Sequence, residues 1–87
     1  MEHYTTKFLK LAHKSTFGGK SEIIAGDLCG CFDCKATFNP SEIMDWIEEP
    51  DKRETAACPK CGTDSVLSSK WPVDDPEFLK AMHSYWF

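Results

Sequence analysis

Two cysteine pairs of identical internal spacing, Cys31-x-x-Cys34 and Cys58-x-x-Cys61, stand 23 residues apart in this chain. Each pair closes a tight turn whose amides face the sulfurs, and two such turns brought together supply the four soft ligands that tetrahedral zinc prefers. Four thiolates leave no open coordination position for water or substrate, which a catalytic zinc needs. Cys31, Cys34, Cys58 and Cys61 are therefore read as ligands of one structural Zn2+ ion. Metal binding can supply about 10–16 kcal/mol of apparent free energy to a small domain. That contribution matters in a chain of 87 residues, which buries only about 60–65% of its unfolded surface.

Glycine and proline placement agrees with this reading. Gly62 directly after Cys61 suits a backbone that bends toward a ligand thiolate, and Pro59 stiffens the same turn. The first pair has no glycine after it, and Gly30 just before Cys31 is expected to serve a related role. Cys29 makes the cysteine count five, an odd number. It has three readings: a substitute for Cys31 through a longer C-x4-C spacing, a small buried apolar side chain, or a free reactive thiol. Asp64 either points into the mouth between the turns or caps neighbouring turn amides. His3, His13 and His83 are far apart in sequence and are read as surface or packing residues.

The intervening segments carry start and stop signals. Thr5 or Thr6 caps a helix over "KFLKLAHKS", which Gly18 and Gly19 end. "EIIAGDL" reads as a short strand. In "TFNPSEIMDWIEEP", Asn39 as cap, Pro40 at the first helical position and Glu42 in the capping-box place predict a helix from Asn39 to Glu49 with Ile43, Trp46 and Ile47 on its buried face. "SVLSS" reads as a strand leaving the second pair. Asp75 with Pro76, or Asp74 with Glu77, starts a last helix whose Phe78, Met82, Tyr85 and Trp86 cover the core.

Charge and motif searches narrow the function classes. The net charge of −4 is uneven: residues 1–28 carry about one net positive charge, 29–61 three negative and 62–87 two negative. Four zinc-bound thiolates would make the middle segment more negative still, the wrong sign for a general grip on phosphates. No HxE precedes a Cys-x-x-Cys as in zinc deaminases, and HExxH, GxSxG and glycine-rich phosphate loops are absent. The start of the chain lacks the pattern of an export signal and no stretch approaches 18 apolar residues. A cytoplasmic protein outside the membrane is expected, in a compartment where paired cysteines hold metal more often than disulfides.

"CGCFDC", "FNPSEIMDWI", "TAACPKCGTDSV" and "MHSYWF" together resemble a family of small uncharacterised bacterial cytoplasmic proteins, and the cysteine turns alone resemble zinc-ribbon-like domains. The likeness runs from roughly Cys29 to Phe87 and only weakly through the N-terminal helix. It implies zinc at Cys31, Cys34, Cys58 and Cys61, with Cys29 inside the first motif, and it implies no reaction. Lys60 and Thr63 depart from the family pattern, which favours an aromatic and an aliphatic residue at those places, outside the ligands.

The expectation is an α+β, zinc-ribbon-like single domain over residues 1–87. It has an N-terminal helix within 1–17, a core over 29–69 with a helix between the two CxxC turns, and a packing helix over 75–87. A treble clef would need a helix starting at the second pair, which "GTDSVLSS" does not suit. The leading function is a protein-interaction or regulatory module, in the manner of a small regulator or immunity-type inhibitor. Its docking face would be the acidic band of Glu42, Asp45, Glu48, Glu49, Asp51 and Glu54, turned toward a basic protein partner. The alternative is a nucleic-acid-binding zinc ribbon using Lys7, Lys10 and Lys14 with His13 and Lys20. An enzyme acting through Cys29 or Asp64 is the third reading.

Overall fold

A computed structural model of the protein describes residues 4–87. The chain runs through α1 (Thr6–Lys14), α2 (Lys20–Ile24), β1 (Cys29–Cys31), β2 (Thr37–Phe38), a 3-10 turn (Pro40–Glu42), β3 (Trp46–Glu48), β4 (Glu54–Ala56), β5 (Val66–Leu67) and α3 (Pro76–Trp86). This is the expected α+β, zinc-ribbon-like arrangement, with a helical turn between the cysteine pairs and a packing helix at the end. The chain leaves the second pair into β5 rather than into a helix, so the topology is not a treble clef.

The centre is an antiparallel sheet of order β2-β1-β5, in which Gly30 pairs with Thr37 and Leu67, and Cys31 pairs with Val66. Side chains alternate across a strand, so each face of this sheet meets a separate apolar layer. On one side Leu67 joins Leu9 and Ala12 of α1, Val73, and Phe78, Leu79 and Met82 of α3. On the other, Cys29, Cys31, Phe38 and Val66 meet Ile23, Ile43 and Ala56. Burial on both faces is why β1 is buried at all three positions. Gly30 lies under α3: a Cβ there would sit 2.9 Å from Val73 Cβ and 3.2 Å from Leu79 Cδ2. Its role is close packing of helix on strand, not the bend at the cysteine turn expected of it.

Both terminal helices start as their sequences suggest. The Thr5 hydroxyl accepts from Phe8 N–H at 3.2 Å, and the Asp75 carboxylate accepts from Glu77 N–H at 3.0 Å with Pro76 at the first helical position. Asp75 also accepts the Tyr4 hydroxyl, which ties the start of α3 to the residue before the cap of α1. Phe78, Leu79 and Met82 are buried, whereas Tyr85 stays 41% exposed and Trp86 packs at the edge of the layer.

Two of the expected secondary-structure elements fail as well. "EIIAGDL" is not a strand: Lys20–Ile24 is a short helix that buries Ile23 and leaves Ile24 exposed. Glu22 on that helix is held by the Ser68 hydroxyl at 3.0 Å, a partner 46 residues away that no local pattern reveals. The helix expected from Asn39 to Glu49 stops after one turn. Its capping box is present, with Ser41 N–H on Asn39 Oδ1 at 3.0 Å and Asn39 N–H on Glu42 Oε2 at 2.9 Å. At Ile43 the backbone becomes extended (φ −75°, ψ 120°), and Trp46–Glu48 pairs with Glu54–Ala56 as an antiparallel hairpin. Tertiary pairing overrides the local helix signal here, helped by the β-branched and aromatic residues of the segment. Thr55 then locks the hairpin to the rest of the chain: its hydroxyl donates to Glu49 at 2.6 Å and accepts from Gly18 N–H at 2.7 Å.

Candidate metal centre

The two cysteine turns are built alike. Cys31 N–H donates to Ala36 carbonyl at 2.9 Å, and Cys58 N–H donates to Thr63 carbonyl at 2.7 Å, so each turn is closed five residues on from its first cysteine. The residue after each second cysteine is left-handed, Lys35 at φ 63° and Gly62 at φ 84°. A bend at this position lets the next amides swing back toward the sulfurs. Lys35 thus does without the glycine that its counterpart uses.

The first turn hangs from β1, and the second lies between β4 and β5. Pairing of Cys31 with Val66 in the central sheet brings them together. Cys31 Sγ lies 3.7 Å from Cys61 Sγ, and Cys34 Sγ lies 3.7 Å from Cys58 Sγ. All four sulfurs fall within 4.8 Å of one another, a group that can hold a metal ion. A tetrahedron with metal–sulfur bonds of about 2.3 Å has edges of about 3.8 Å, so these separations fit one ion at the centre. They are also far longer than a disulfide's bond of about 2.0 Å. Cys31 and Cys58 are buried while Cys34 and Cys61 are exposed, so the cluster has one inner and one outer side.

Hydrogen bonding tunes the sulfurs unequally. Burial pushes the Cys31 thiol well above its ordinary range, and burial likewise raises Cys34. At Cys61 burial opposes ionisation, but the Thr63 hydroxyl and amide and the neighbouring thiols outweigh it and bring the group down to about 7. The Thr63 hydroxyl lies 3.3 Å from Cys61 Sγ and 3.5 Å from Cys31 Sγ, and Lys60 N–H donates to Cys58 Sγ at 3.3 Å. A bound ion would hold all four as thiolates. Hydrogen bonds to ligand atoms orient them and spread their charge.

Sequence reasoning missed Thr63. It stands at a place taken to be outside the site, yet its hydroxyl lies beside two of the four sulfurs. The one available signal is its position two residues after a turn cysteine.

The other candidates lie elsewhere. Cys29 is fully buried in the apolar layer beneath the cluster, on the same face of β1 as Cys31, and burial followed by the charge of Glu42 raises its thiol to about 11. That agrees with the buried reading and leaves Cys31 as the member of the four. Asp64 is exposed and is not part of the cluster. His13 lies against Trp86 with ring centres 4.0 Å apart and planes tilted by 31°, and His83 Nδ1 lies 3.1 Å from the Phe32 carbonyl, so both serve packing at the helical layer. His3 lies outside the described residues.

The acidic band is partly engaged within the chain. Glu42 sits in the capping box and faces Lys60, Glu49 accepts from Thr55, Asp51 pairs with Arg53 at 2.7 Å and Glu54 pairs with Lys20 at 2.7 Å. Asp45 and Glu48 are exposed, and neither forms an ion pair among the described residues. Lys7, Lys10 and Lys14 line one shallow groove with Thr6 and Leu11. No helix among the described residues is long and apolar enough to cross a membrane.

No protein-family model, curated protein or solved structure matches this chain. What stands of the resemblance is the zinc-ribbon-like arrangement of the two cysteine turns.

Proposed function

We propose that Cys31, Cys34, Cys58 and Cys61 hold one structural zinc ion, and that the chain is a small protein-interaction or regulatory module whose exposed face the zinc keeps in shape. The observation that carries the zinc reading is the sulfur geometry: separations of 3.7 Å across the two turns match the edges of a four-thiolate zinc tetrahedron. The ion would clamp the β1–β2 turn to the β4–β5 connection, at the end of the sheet that the two apolar layers share. The thiols call for a reducing compartment, and the cytoplasm is the reading we favour.

Interaction rather than nucleic-acid binding is favoured by the charge. The segment around the cysteines is acidic, and the lysines of α1 surround an aliphatic residue, Leu11, rather than the aromatic stacking platform that single-stranded nucleic acid uses. Substitution of cobalt for zinc tests the site. Intense sulfur-to-cobalt charge-transfer absorption with the visible bands of a tetrahedral ion is expected, and it should be lost in Cys31→Ser. A six-coordinate cobalt spectrum, or one unchanged in Cys31→Ser, would overturn the assignment. For the interaction reading, salt-dependent binding to RNA or DNA without any protein ligand would overturn it.

A further inference from the structure

The hairpin of β3 and β4 is a two-stranded sheet whose long edges differ. β4 packs against α2, whereas among the described residues no strand lies beside the outer edge of β3. The phase of the ladder is fixed by two bonds, Glu49 N–H to Arg53 carbonyl at 2.8 Å and Ala57 N–H to Asp45 carbonyl at 3.0 Å. Bonding alternates along an antiparallel pair, so Asp45, Ile47 and Glu49 face β4 while Trp46 and Glu48 turn their N–H and C=O groups outward. No other backbone group among the described residues pairs with those outward groups.

The side chains on and beside this edge combine exposed apolar surface with negative charge. Met44 is 85% exposed, the most exposed large apolar side chain among the described residues, and Ile47 is 43% exposed. Open edges are commonly blunted against self-pairing by short strands, charged side chains, proline or a bulge, and this edge relies on its short length and its charge. The charge is negative: Glu48 of β3 and Asp45 just before it are the two carboxylates of the acidic band that form no ion pair among the described residues. Two copies of this edge brought together would set like charges against each other, which opposes self-pairing. The same carboxylates would attract a strand that carries cations.

We infer that the outer edge of β3 receives an extended, lysine- or arginine-bearing segment of a partner protein as a third strand. Trp46 and Glu48 supply the backbone hydrogen bonds, Met44 and Ile47 the apolar contact, and Asp45 and Glu48 the charge. This rests on the protein-interaction reading above and narrows it from an acidic band to one strand.

The test titrates the isotopically labelled, zinc-loaded full chain with a blocked peptide that repeats Lys-Lys-Val-Val, which places lysine and valine on both faces of an added strand as the opposite-facing Asp45 and Glu48 require, and with its glutamate and valine counterpart, while amide resonances are followed. The lysine peptide should shift the amides of residues 44–49 and slow hydrogen exchange at Trp46 and Glu48 at least tenfold, with binding weakened at high salt. The double variant Asp45→Lys, Glu48→Lys should reverse the preference to the glutamate peptide. Glu48→Pro, which removes an outward N–H at an edge position that tolerates proline, should abolish binding with the rest of the spectrum unchanged. The charge-reversal pair keeps the test decisive if proline disturbs the hairpin.

Largest shifts at Asp51 or Glu54, equal response to both peptides, or no response would overturn the inference. Concentration-dependent broadening of β3 without peptide would do so too, by making a second copy the occupant. Shifts elsewhere on the acidic band would sink the edge while leaving the interaction reading in place.

Discussion

Lys35 stands at φ 63° where its counterpart in the second turn is Gly62 at φ 84°. Left-handed backbone costs a residue with a side chain about 1–2 kcal/mol, part of which glycine loses again through its freer unfolded chain. Lys35→Gly is therefore expected to raise stability by roughly 0.5–1 kcal/mol, read by denaturant unfolding of the zinc-loaded protein, with zinc content unchanged. Gly62→Ala should lower it by roughly 0.5–1 kcal/mol, the converse of Lys35→Gly and wholly through the backbone, because a Cβ there meets nothing within 4 Å. Cys29→Ala should cost about 1–2 kcal/mol by leaving a small cavity, again with full metal content. The four clustered cysteines were legible because their spacing is local and their chemistry narrow. The roles of Lys35 and Thr63 were not, since residue type does not announce a left-handed angle and a hydroxyl's contact with sulfur depends on how two turns meet.

Among the elements, α3 shows a local signal that tertiary structure reinforces. Asp75 caps the helix and also receives the Tyr4 hydroxyl. That hydrogen bond, followed by burial and the charges of Asp75 and Asp74, raises the Tyr4 hydroxyl to about 12. A group whose pKa is raised on folding contributes stability that is fully present below its unfolded value of about 10. The contribution is lost as pH climbs through the folded value. Stability measured across pH 10 to 12 should thus fall more steeply in the parent protein than in Tyr4→Phe; parallel curves would show that the bond contributes nothing. The middle segment shows the opposite case. Its capping box was legible from Asn39, Pro40 and Glu42, but the strand that follows was not, because pairing of Ile47 with Thr55 is decided by how the hairpin is held to Gly18. Short amphipathic runs rich in isoleucine and tryptophan fit a helix face and a half-buried strand alike.

At the level of the molecule, two apolar layers share one narrow sheet, and the cysteine turns lie at its end. The α+β class and the order of the cysteine turns were legible in sequence; the split of the core into two layers was not, since it depends on Gly30 admitting α3 to one face of β1. Removal of the metal should be felt throughout. On the magnitude of structural zinc sites, chelation withdraws on the order of 10 kcal/mol, as much as the whole stability of an ordinary small domain. The chelated protein should lose its sharp aromatic circular dichroism and cooperative thermal transition, and regain both on addition of zinc. The most direct measurement is native mass spectrometry with elemental analysis of protein purified without added metal, repeated on Cys29→Ser and Cys31→Ser. One zinc per chain in the parent and in Cys29→Ser, with none retained by Cys31→Ser, is the predicted result. Iron, no metal, or loss of zinc from Cys29→Ser would contradict the four-thiolate zinc site.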